Sequence, residues 1–217
     1  MTEASQRALE GMRDFTTLQW YVVPLLAVVF YVYVNEIRKA REGGSWDVVY
    51  AGVTLFGMDF LNETLNGWIL NLTDRSALWT APGPTALRTM VEWNIEIMFM
   101  FAISGVIFWT SISKDPERKL FGLPEKWALA IGYSAFCVFV EWFLNRGGLL
   151  VWEYPFWNRS FGGIWLIFLF GYFHFYVATI FVNWLRPHRP RLIALGVIYG
   201  LAIVLNVIGL GPLGFAY

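Results

Sequence analysis

The chain has 217 residues, of which 57% are hydrophobic, 19% aromatic and only 15% charged. This composition and a mean hydropathy of +0.51 are typical of an integral membrane protein, because a soluble domain of this length carries far more charge. The net charge of zero argues against a nucleic-acid partner. Cys137 is the single cysteine, so a disulfide within the chain is excluded.

The N-terminal segment differs from the rest of the chain. Residues 1–19 mix acidic and basic side chains and lack the apolar core of a signal peptide. We predict that residues 2–19 form a short amphipathic surface helix. Residues 20–213 are predicted to form a single membrane domain.

Six apolar stretches follow, each close to the roughly 20 residues that a helix needs to cross a bilayer. Short connections that contain glycine and proline separate them. The predicted fold is therefore an all-α, multi-pass bundle of six transmembrane helices. The predicted spans are Trp20–Ile37, Asp47–Leu72, Leu87–Ile112, Trp127–Gly147, Gly163–Leu185 and Leu192–Leu213.

Positive charge predicts the orientation of this bundle. Ten of the 16 lysines and arginines fall in the first, third and fifth connections. Because cytoplasmic loops are enriched in these residues, both termini are predicted to lie on the outer, non-cytoplasmic side. The ten residues are Arg38, Lys39, Arg41, Lys114, Arg118, Lys119, Lys126, Arg186, Arg189 and Arg191.

Acidic residues interrupt the apolar stretches. Asp59 and Glu63 lie one turn apart in the second span, Glu92 and Glu96 open the third, and Glu141 lies in the fourth. An ionisable group at membrane depth costs about 2.5–3.5 kcal/mol on insertion scales and usually marks function. The rise of a helix, about 1.5 Å per residue, gives these residues similar depths. We therefore predict one cavity in the outer half of the bundle.

The spacing of these acids indicates acid–base chemistry. Like charges four residues apart on a helix repel each other, so each pair is expected to share a proton. One carboxyl group can then donate a proton while its neighbour accepts one. Glu63 and Glu96 are predicted to be the acid–base pair, tuned by Asp59 and Glu141, with Glu92 as the fifth catalytic candidate.

Further polar and aromatic residues are predicted to contact the substrate, among them His174, which lies deeper, near the middle of the fifth span. These are Asn62, Asn66, Trp93, Trp142, Asn145, Trp157, Tyr172 and His174.

A metal centre remains an alternative at this stage. Carboxylates together with His174 could bind iron, manganese or zinc. The Glu-x-x-His pair that builds di-iron bundles does not occur in the sequence. No cofactor and no metal are therefore predicted.

The connection at residues 148–162 is rich in aromatic residues, and two interpretations stay open. It could be an interfacial aromatic belt or a lid over the outer mouth of the cavity. Its aromatic residues are Trp152, Tyr154, Phe156 and Trp157, which flank Glu153 and Arg159.

Two short segments resemble a group of known enzymes. The run Asp59-Phe-Leu-Asn-Glu63-Thr-Leu-Asn-Gly-Trp68, followed by Glu92-Trp-Asn-Ile-Glu96, resembles small membrane enzymes of isoprenoid chemistry. These are the emopamil-binding-protein-like sterol isomerases and the small transmembrane terpene cyclases. Asp59 stands where the isomerases have a histidine, and Glu63 matches their acidic residue. The resemblance implies an enzyme that protonates an alkene or an epoxide and guides a carbocation past aromatic walls.

The function predicted from the sequence is therefore an integral-membrane enzyme of the cyclase or isomerase type. It would act on an isoprenoid or other lipid-like substrate by carboxylate acid–base chemistry. Its predicted partners are this hydrophobic substrate and the membrane lipids. Two alternatives stay open, a proton- or cation-coupled carrier that uses the same carboxylates and a non-catalytic subunit of a larger membrane complex.

Overall fold

The computed structural model describes residues 1–217, and most of them are helical. A π-helical segment, Ile167–Phe173, joins α6 to α7, so that Phe161–Trp184 forms one continuous helix. A 3₁₀ turn covers Phe15–Thr17. The α-helices are α1 (Glu3–Glu10), α2 (Val22–Arg41), α3 (Asp47–Thr73), α4 (Ile95–Ser111), α5 (Glu125–Arg146), α6 (Phe161–Leu166), α7 (His174–Trp184) and α8 (His188–Leu210).

Four two-residue strands lie in the connections between helices. β2 (Lys119–Leu120) and β3 (Leu123–Pro124) form a small hairpin between α4 and α5. β1 (Trp79–Thr80) follows α3, and β4 (Val151–Trp152) follows α5. β1 and β4 pair antiparallel, with Trp79 opposite Trp152, so this pairing ties together two long connections at one end of the bundle.

Six long helices occupy the positions of the six predicted spans. Three of them, α5, Phe161–Trp184 and α8, are long and apolar enough to cross a membrane. α4 is apolar but has only 17 residues. α2 carries a cluster of charges in its last six residues, and α3 carries acids and amides along its length. The helical class of the prediction is confirmed.

Helix α3 is the centre of the bundle and packs against α4, α7 and α8. Small residues allow α4 to approach it closely. A Cβ atom added to Gly105 of α4 would overlap the backbone carbonyl of Ala51 and lie 2.8 Å from the Cα atom of Gly52. This close approach holds the acidic stretch of α3 beside the start of α4.

The N-terminal helix is shorter than predicted and packs against protein. Thr2 caps α1, and Ser5 and Ala8 are fully buried on its inner face. The chain then turns at Arg13, whose φ of 60° lies in the left-handed region, so the predicted helix over residues 2–19 is wrong in length. The Arg13 guanidinium donates a hydrogen bond of 2.9 Å to the carbonyl oxygen of Tyr217. Both termini therefore meet at one end of the bundle.

The third predicted span begins too early. α4 starts at Ile95, because the side chain of Asn94 caps the helix by accepting a 2.9 Å hydrogen bond from the backbone N–H of Ile97. Glu92 therefore precedes the helix, while Glu96 lies in its first turn. The shared helical face predicted for these two acids, and the depth predicted for Glu96, are both wrong.

Candidate functional site

A cavity of about 220 Å³ lies between α3, α4, α5 and the π-helical segment, below the connections that contain β1 and β4. All five predicted catalytic acids line it, and no lysine, arginine or histidine does. The rest of its wall is mainly apolar and aromatic. The lining residues are Asp59, Asn62, Glu63, Trp79, Glu92, Glu96, Ile97, Met100, Phe101, Phe136, Cys137, Val140, Glu141, Leu144, Leu150, Trp157, Gly171, Tyr172 and Phe175.

Indole groups hold the two acids of α3 that line the cavity. The Trp79 Nε1–H donates a 3.0 Å hydrogen bond to Glu63 Oε1. The Trp93 Nε1–H donates a 2.7 Å hydrogen bond to Asp59 Oδ2. Both indoles come from the connection between α3 and α4, and a buried tryptophan N–H needs such an acceptor. The connection and the acidic stripe of α3 therefore fix each other in place.

The acids outside α3 are held in the same way. The Trp152 Nε1–H donates a 2.7 Å hydrogen bond to Glu141 Oε1, and the Tyr172 hydroxyl faces the same carboxyl group. The Asn66 side-chain amide donates to Glu92 Oε2 at 3.2 Å. Each of these carboxyl groups thus receives at least one neutral donor and no positive charge.

Glu96 differs from the other four acids. Its carboxylate accepts hydrogen bonds from the hydroxyl of Tyr21, from Thr85 Oγ1 at 2.5 Å and from the backbone N–H of Ala86 at 2.9 Å. These donors anchor α2 and the α3–α4 connection to the start of α4. The geometry therefore gives Glu96 a positioning role, and the predicted pairing of Glu63 with Glu96 as acid and base is not supported by their contacts.

Two polar atoms on the cavity wall have no partner. Glu63 Oε2 and Trp157 Nε1 are buried without a hydrogen bond, and each residue is only 4% exposed. The Trp157 ring stacks on Trp79 with ring centroids 5.4 Å apart, and Trp79 in turn binds Glu63. Two residues of the cavity wall therefore each carry one polar atom, a carboxyl oxygen and an indole N–H, that no other protein group satisfies.

The charge of the cavity is uncompensated. Asp59, Glu63, Glu92 and Glu141 lie close enough to interact electrostatically with one another. A buried carboxylate without a counter-charge carries a desolvation cost of several kcal/mol. Four such groups together require a proton or a bound cation. No three histidine, cysteine, aspartate or glutamate side chains are arranged to hold one metal ion.

The connection between α5 and α6 folds over the cavity as a lid. Leu150 and Trp157 contribute directly to the cavity wall. The Tyr154 hydroxyl donates to the carbonyl oxygen of Ser76 at 2.9 Å, and β4 pairs with β1. Of the two interpretations left open by the sequence, the lid agrees with this geometry.

The π-helical segment shapes one wall of the cavity. Gly171 and Tyr172 lie in it and line the cavity. A Cβ atom on Gly171 would lie 3.8 Å from the Trp157 ring, so Gly171 lies directly beside that indole. The carbonyl of Phe170 accepts a 3.4 Å hydrogen bond from the Asn62 side chain. π-Helical turns within α-helices are frequent at functional sites.

The cavity opens sideways between α4 and α5. Met100 of α4 and Phe136 of α5 line it and are 43% and 61% exposed. Leu144, which lies further along α5 and also lines the cavity, is exposed as well. The mouth of the cavity is therefore lined by exposed apolar side chains.

Five of the predicted substrate-contact residues lie outside the cavity wall. Asn66 and Trp93 lie behind it, where they hold Glu92 and Asp59. His174 accepts or donates a 3.2 Å hydrogen bond at the Leu169 carbonyl through Nδ1 and does not line the cavity. The alternative of a carboxylate metal centre that includes His174 therefore has no geometric support.

The other two lie near the end of α5. Trp142 packs against Arg146, whose guanidinium carbon lies 4.9 Å from the indole centroid. Asn145 donates to the Leu150 carbonyl at 3.0 Å and accepts from Arg159 Nε at 2.6 Å, so it supports the lid. Neither residue lines the cavity, although the sequence analysis predicted substrate contacts for both.

Sequence reasoning missed several residues of the site. Trp79, Phe136 and Cys137 line the cavity, and Trp152 binds Glu141. The tryptophans of both connections were a usable signal, because a tryptophan next to a predicted acidic cavity offers it an N–H donor. The sequence gives no comparable sign for Phe136, which differs little from the other phenylalanines of its helix.

The fold and the site define a helical membrane protein with an acidic, apolar-walled cavity. Residues 2–211 match the model of a family described as an uncharacterized membrane protein family, and the chain belongs to that family. A protein of Archaeoglobus fulgidus, described as an uncharacterized protein, is 41% identical over 181 residues, which cover 83% of each chain. No solved structure matches the chain. The membrane class predicted from composition is confirmed.

We predict that Asn66→Leu destabilises the site. Asn66 is fully buried, accepts from the Leu78 backbone N–H at 2.8 Å and donates to the Trp79 carbonyl at 2.8 Å. Leucine would leave these groups and Glu92 unpaired, at about 1–3 kcal/mol for each. Thermal unfolding in detergent, followed by tryptophan fluorescence, should show a clearly lowered midpoint.

The matched control for this experiment is Asn62→Leu. Asn62 lies one turn earlier on α3 and makes a single long hydrogen bond of 3.4 Å. Its replacement should change the midpoint far less. Equal midpoints for the two variants would show that Asn66 does not hold the connection between α3 and α4.

Proposed function

We propose that the protein is an integral-membrane enzyme that rearranges a hydrophobic, isoprenoid-like alkene by proton transfer from and to carboxyl groups. One observation carries the proposal. An acidic cavity without any basic residue has an apolar and aromatic wall and a lateral apolar mouth. Catalytic acids work best when they are fixed close to the reacting atom in a site that excludes water.

Glu63 is the proposed proton donor. Its Oε1 atom is held by Trp79, its Oε2 atom is buried without a partner, and the residue lines the cavity. In the proposed step the Oε2–H proton moves to one alkene carbon. The π electron pair of the double bond forms the new C–H bond and leaves a carbocation on the other carbon.

Glu92 is the proposed proton acceptor. Glu63 is its strongest electrostatic partner among the carboxyl groups, and Asn66 orients it by a hydrogen bond. Loss of a proton from the carbon beside the cation to Glu92 returns the electron pair to a double bond. The net result is an isomerised alkene, or a ring when a second double bond of the substrate first attacks the cation. A proton must then return from Glu92 to Glu63 between turnovers.

Aromatic rings supply the proposed stabilisation of the cation. Trp79, Trp157 and Tyr172 line the cavity, together with Phe101 and Phe175. The negative face of such a ring attracts a cation by about 0.5–2 kcal/mol. The free N–H of Trp157 can also bind an oxygen of the substrate, such as an epoxide or a hydroxyl group.

The resemblance of two short segments to terpene cyclases and sterol isomerases supports the same chemistry. It rests on Asp59, Glu63, Glu92 and Glu96, all of which line the cavity. The family match reaches only the level of a membrane protein. The family match does not extend to the substrate or the reaction, so we propose the isoprenoid substrate and the cyclase or isomerase reaction from the cavity and the two segments.

The proposal includes the orientation of the bundle. We infer six membrane spans, with the cavity and both termini on the outer side and the lysine-rich connections in the cytoplasm. The six long helices and the contact of Arg13 with Tyr217 support an even number of crossings. The excess of lysine and arginine in alternate connections supports the assignment of those connections to the cytoplasmic side.

Cysteine labelling tests this orientation. In a Cys137→Ser background, Glu10→Cys lies at the end with the termini, and Phe121→Cys lies at the opposite end in the fully exposed β2–β3 turn. A membrane-impermeant maleimide should label Glu10→Cys in intact cells and Phe121→Cys only after permeabilisation. The reverse pattern would refute the proposed orientation.

Deuterium incorporation tests the chemistry and does not require that the substrate be identified first. The purified protein in lipid nanodiscs is incubated in D₂O with a panel of isoprenoid lipids, and each lipid is then examined by mass spectrometry. Proton transfer to carbon predicts a product with one non-exchangeable deuterium. Glu63→Gln should abolish this product, because glutamine keeps the size of the side chain but cannot transfer a proton.

Glu10→Gln is the control, since Glu10 is exposed and lies outside the cavity. It should leave deuterium incorporation unchanged. Incorporation that survives in a folded Glu63→Gln protein would remove Glu63 from the mechanism. If no lipid gains deuterium but Glu63→Gln abolishes a proton or cation flux into proteoliposomes, the carrier alternative replaces the enzyme.

A further inference from the structure

A second cavity, of about 490 Å³, lies at the opposite end of the bundle from the acidic one. It is formed by the end of α4, the start of α5 and the end of α7. Its inner wall is apolar and consists of Trp109, Ile112, Ile180 and Trp184. This wall continues the apolar surface of the helices, so it suits a hydrocarbon chain.

The rim of this second cavity is positively charged. Lys114 and Lys126 form no ion pair, whereas Arg118 is paired with Glu125 at 3.2 Å. Asp115 and Glu125 are the acidic residues of the rim, and both also accept hydrogen bonds from backbone N–H groups. Four basic residues line the cavity, namely Lys114, Arg118, Lys126 and Arg186.

A buried amide on the wall of this cavity has no partner. Asn183 is only 2% exposed, and neither its Nδ2 nor its Oδ1 atom makes a hydrogen bond. The neighbouring Arg191 donates to the backbone carbonyl of Asn183 at 2.9 Å and leaves the side chain free. Burying a polar group without a hydrogen bond is unfavourable, so the amide is suited to a ligand that supplies both a donor and an acceptor.

We propose that this second cavity binds a phosphate group carried by a membrane amphiphile. The unpaired Lys114 and Lys126 would contact the phosphate oxygens. The Asn183 amide would hydrogen-bond to the phosphate or to the adjoining oxygen atoms. The hydrocarbon chain would lie along Trp109 and Trp184. This site is separate from the carboxylates, and the proposal stands or falls independently of the proposed enzyme activity.

Binding to the full-length protein in detergent tests this site. Three probes are compared by native mass spectrometry and calorimetry: dioctanoyl phosphatidic acid, dioctanoylglycerol as the same tails without phosphate, and inorganic phosphate as the headgroup alone. We expect one molecule of dioctanoyl phosphatidic acid to bind saturably. Dioctanoylglycerol should bind at least tenfold more weakly, because it lacks the phosphate group that contacts the two lysines. Inorganic phosphate that binds as tightly as the lipid would support the site and identify a free phosphate compound as its ligand.

Two variants and a matched control locate the binding. Lys114→Gln combined with Lys126→Gln should weaken binding of dioctanoyl phosphatidic acid by about tenfold. Asn183→Leu should weaken it while leaving the protein folded, because an unpaired amide contributes little to stability. The control is Lys119→Gln, an exposed lysine of the same connection that does not line the cavity, and it should bind normally.

Three results would overturn the proposal. Equal affinity for dioctanoylglycerol would show that only the tails are recognised. An equal loss in Lys119→Gln would show general attraction to a basic surface. Undiminished binding in the double lysine variant would show that the phosphate binds elsewhere. This result does not depend on whether Asn183→Leu folds.

Discussion

Four carboxyl groups share one cavity in which no basic side chain is available to them, and the structure around that cavity is organised by this constraint. Each group receives a neutral N–H donor from Trp79, Trp93, Trp152 or Asn66. Neutral donors reduce the desolvation cost of a carboxyl group without cancelling its charge. A proton or a cation in the cavity must therefore neutralise the remaining negative charge. A site that holds mobile protons beside an apolar wall is suited to acid catalysis.

The same hydrogen bonds explain how the end of the bundle is closed. The connection after α3 supplies Trp79 and Trp93, and the connection after α5 supplies Trp152 and Trp157. The pairing of β1 with β4 and the stacking of Trp79 on Trp157 join the two connections above the carboxylates. The acids thus hold the two connections in place over the cavity. A variant that loses one of these contacts should affect both the closure and the chemistry of the site.

The sequence predicted the helices and the acids well and the connections poorly. Long apolar runs predict helices because their length and composition match those of a membrane-spanning helix. Acids within such runs are easily recognised because placing an ionisable group there costs free energy. The predicted start of the third span was wrong because apolar residues before Asn94 extend the run, whereas the helix begins only after its N-cap at Asn94. The pairing of Trp79 with Trp152 requires two connections that are distant in the sequence to meet, and no local pattern in the sequence encodes that meeting. The π-helical turn that orients Tyr172 also has no local signal beyond the presence of Gly171.

Infrared spectroscopy tests the central claim most directly, namely that protons neutralise the buried carboxyl cluster. A protonated carboxyl group has a C=O stretch that is distinct from the bands of ionised carboxylates and shifts in D₂O. The account predicts such a band in the native protein, reduced in Glu63→Gln and unchanged in Glu10→Gln. A native spectrum with carboxylate bands alone, unaltered by Glu63→Gln, would contradict the account and indicate neutralisation by a bound cation.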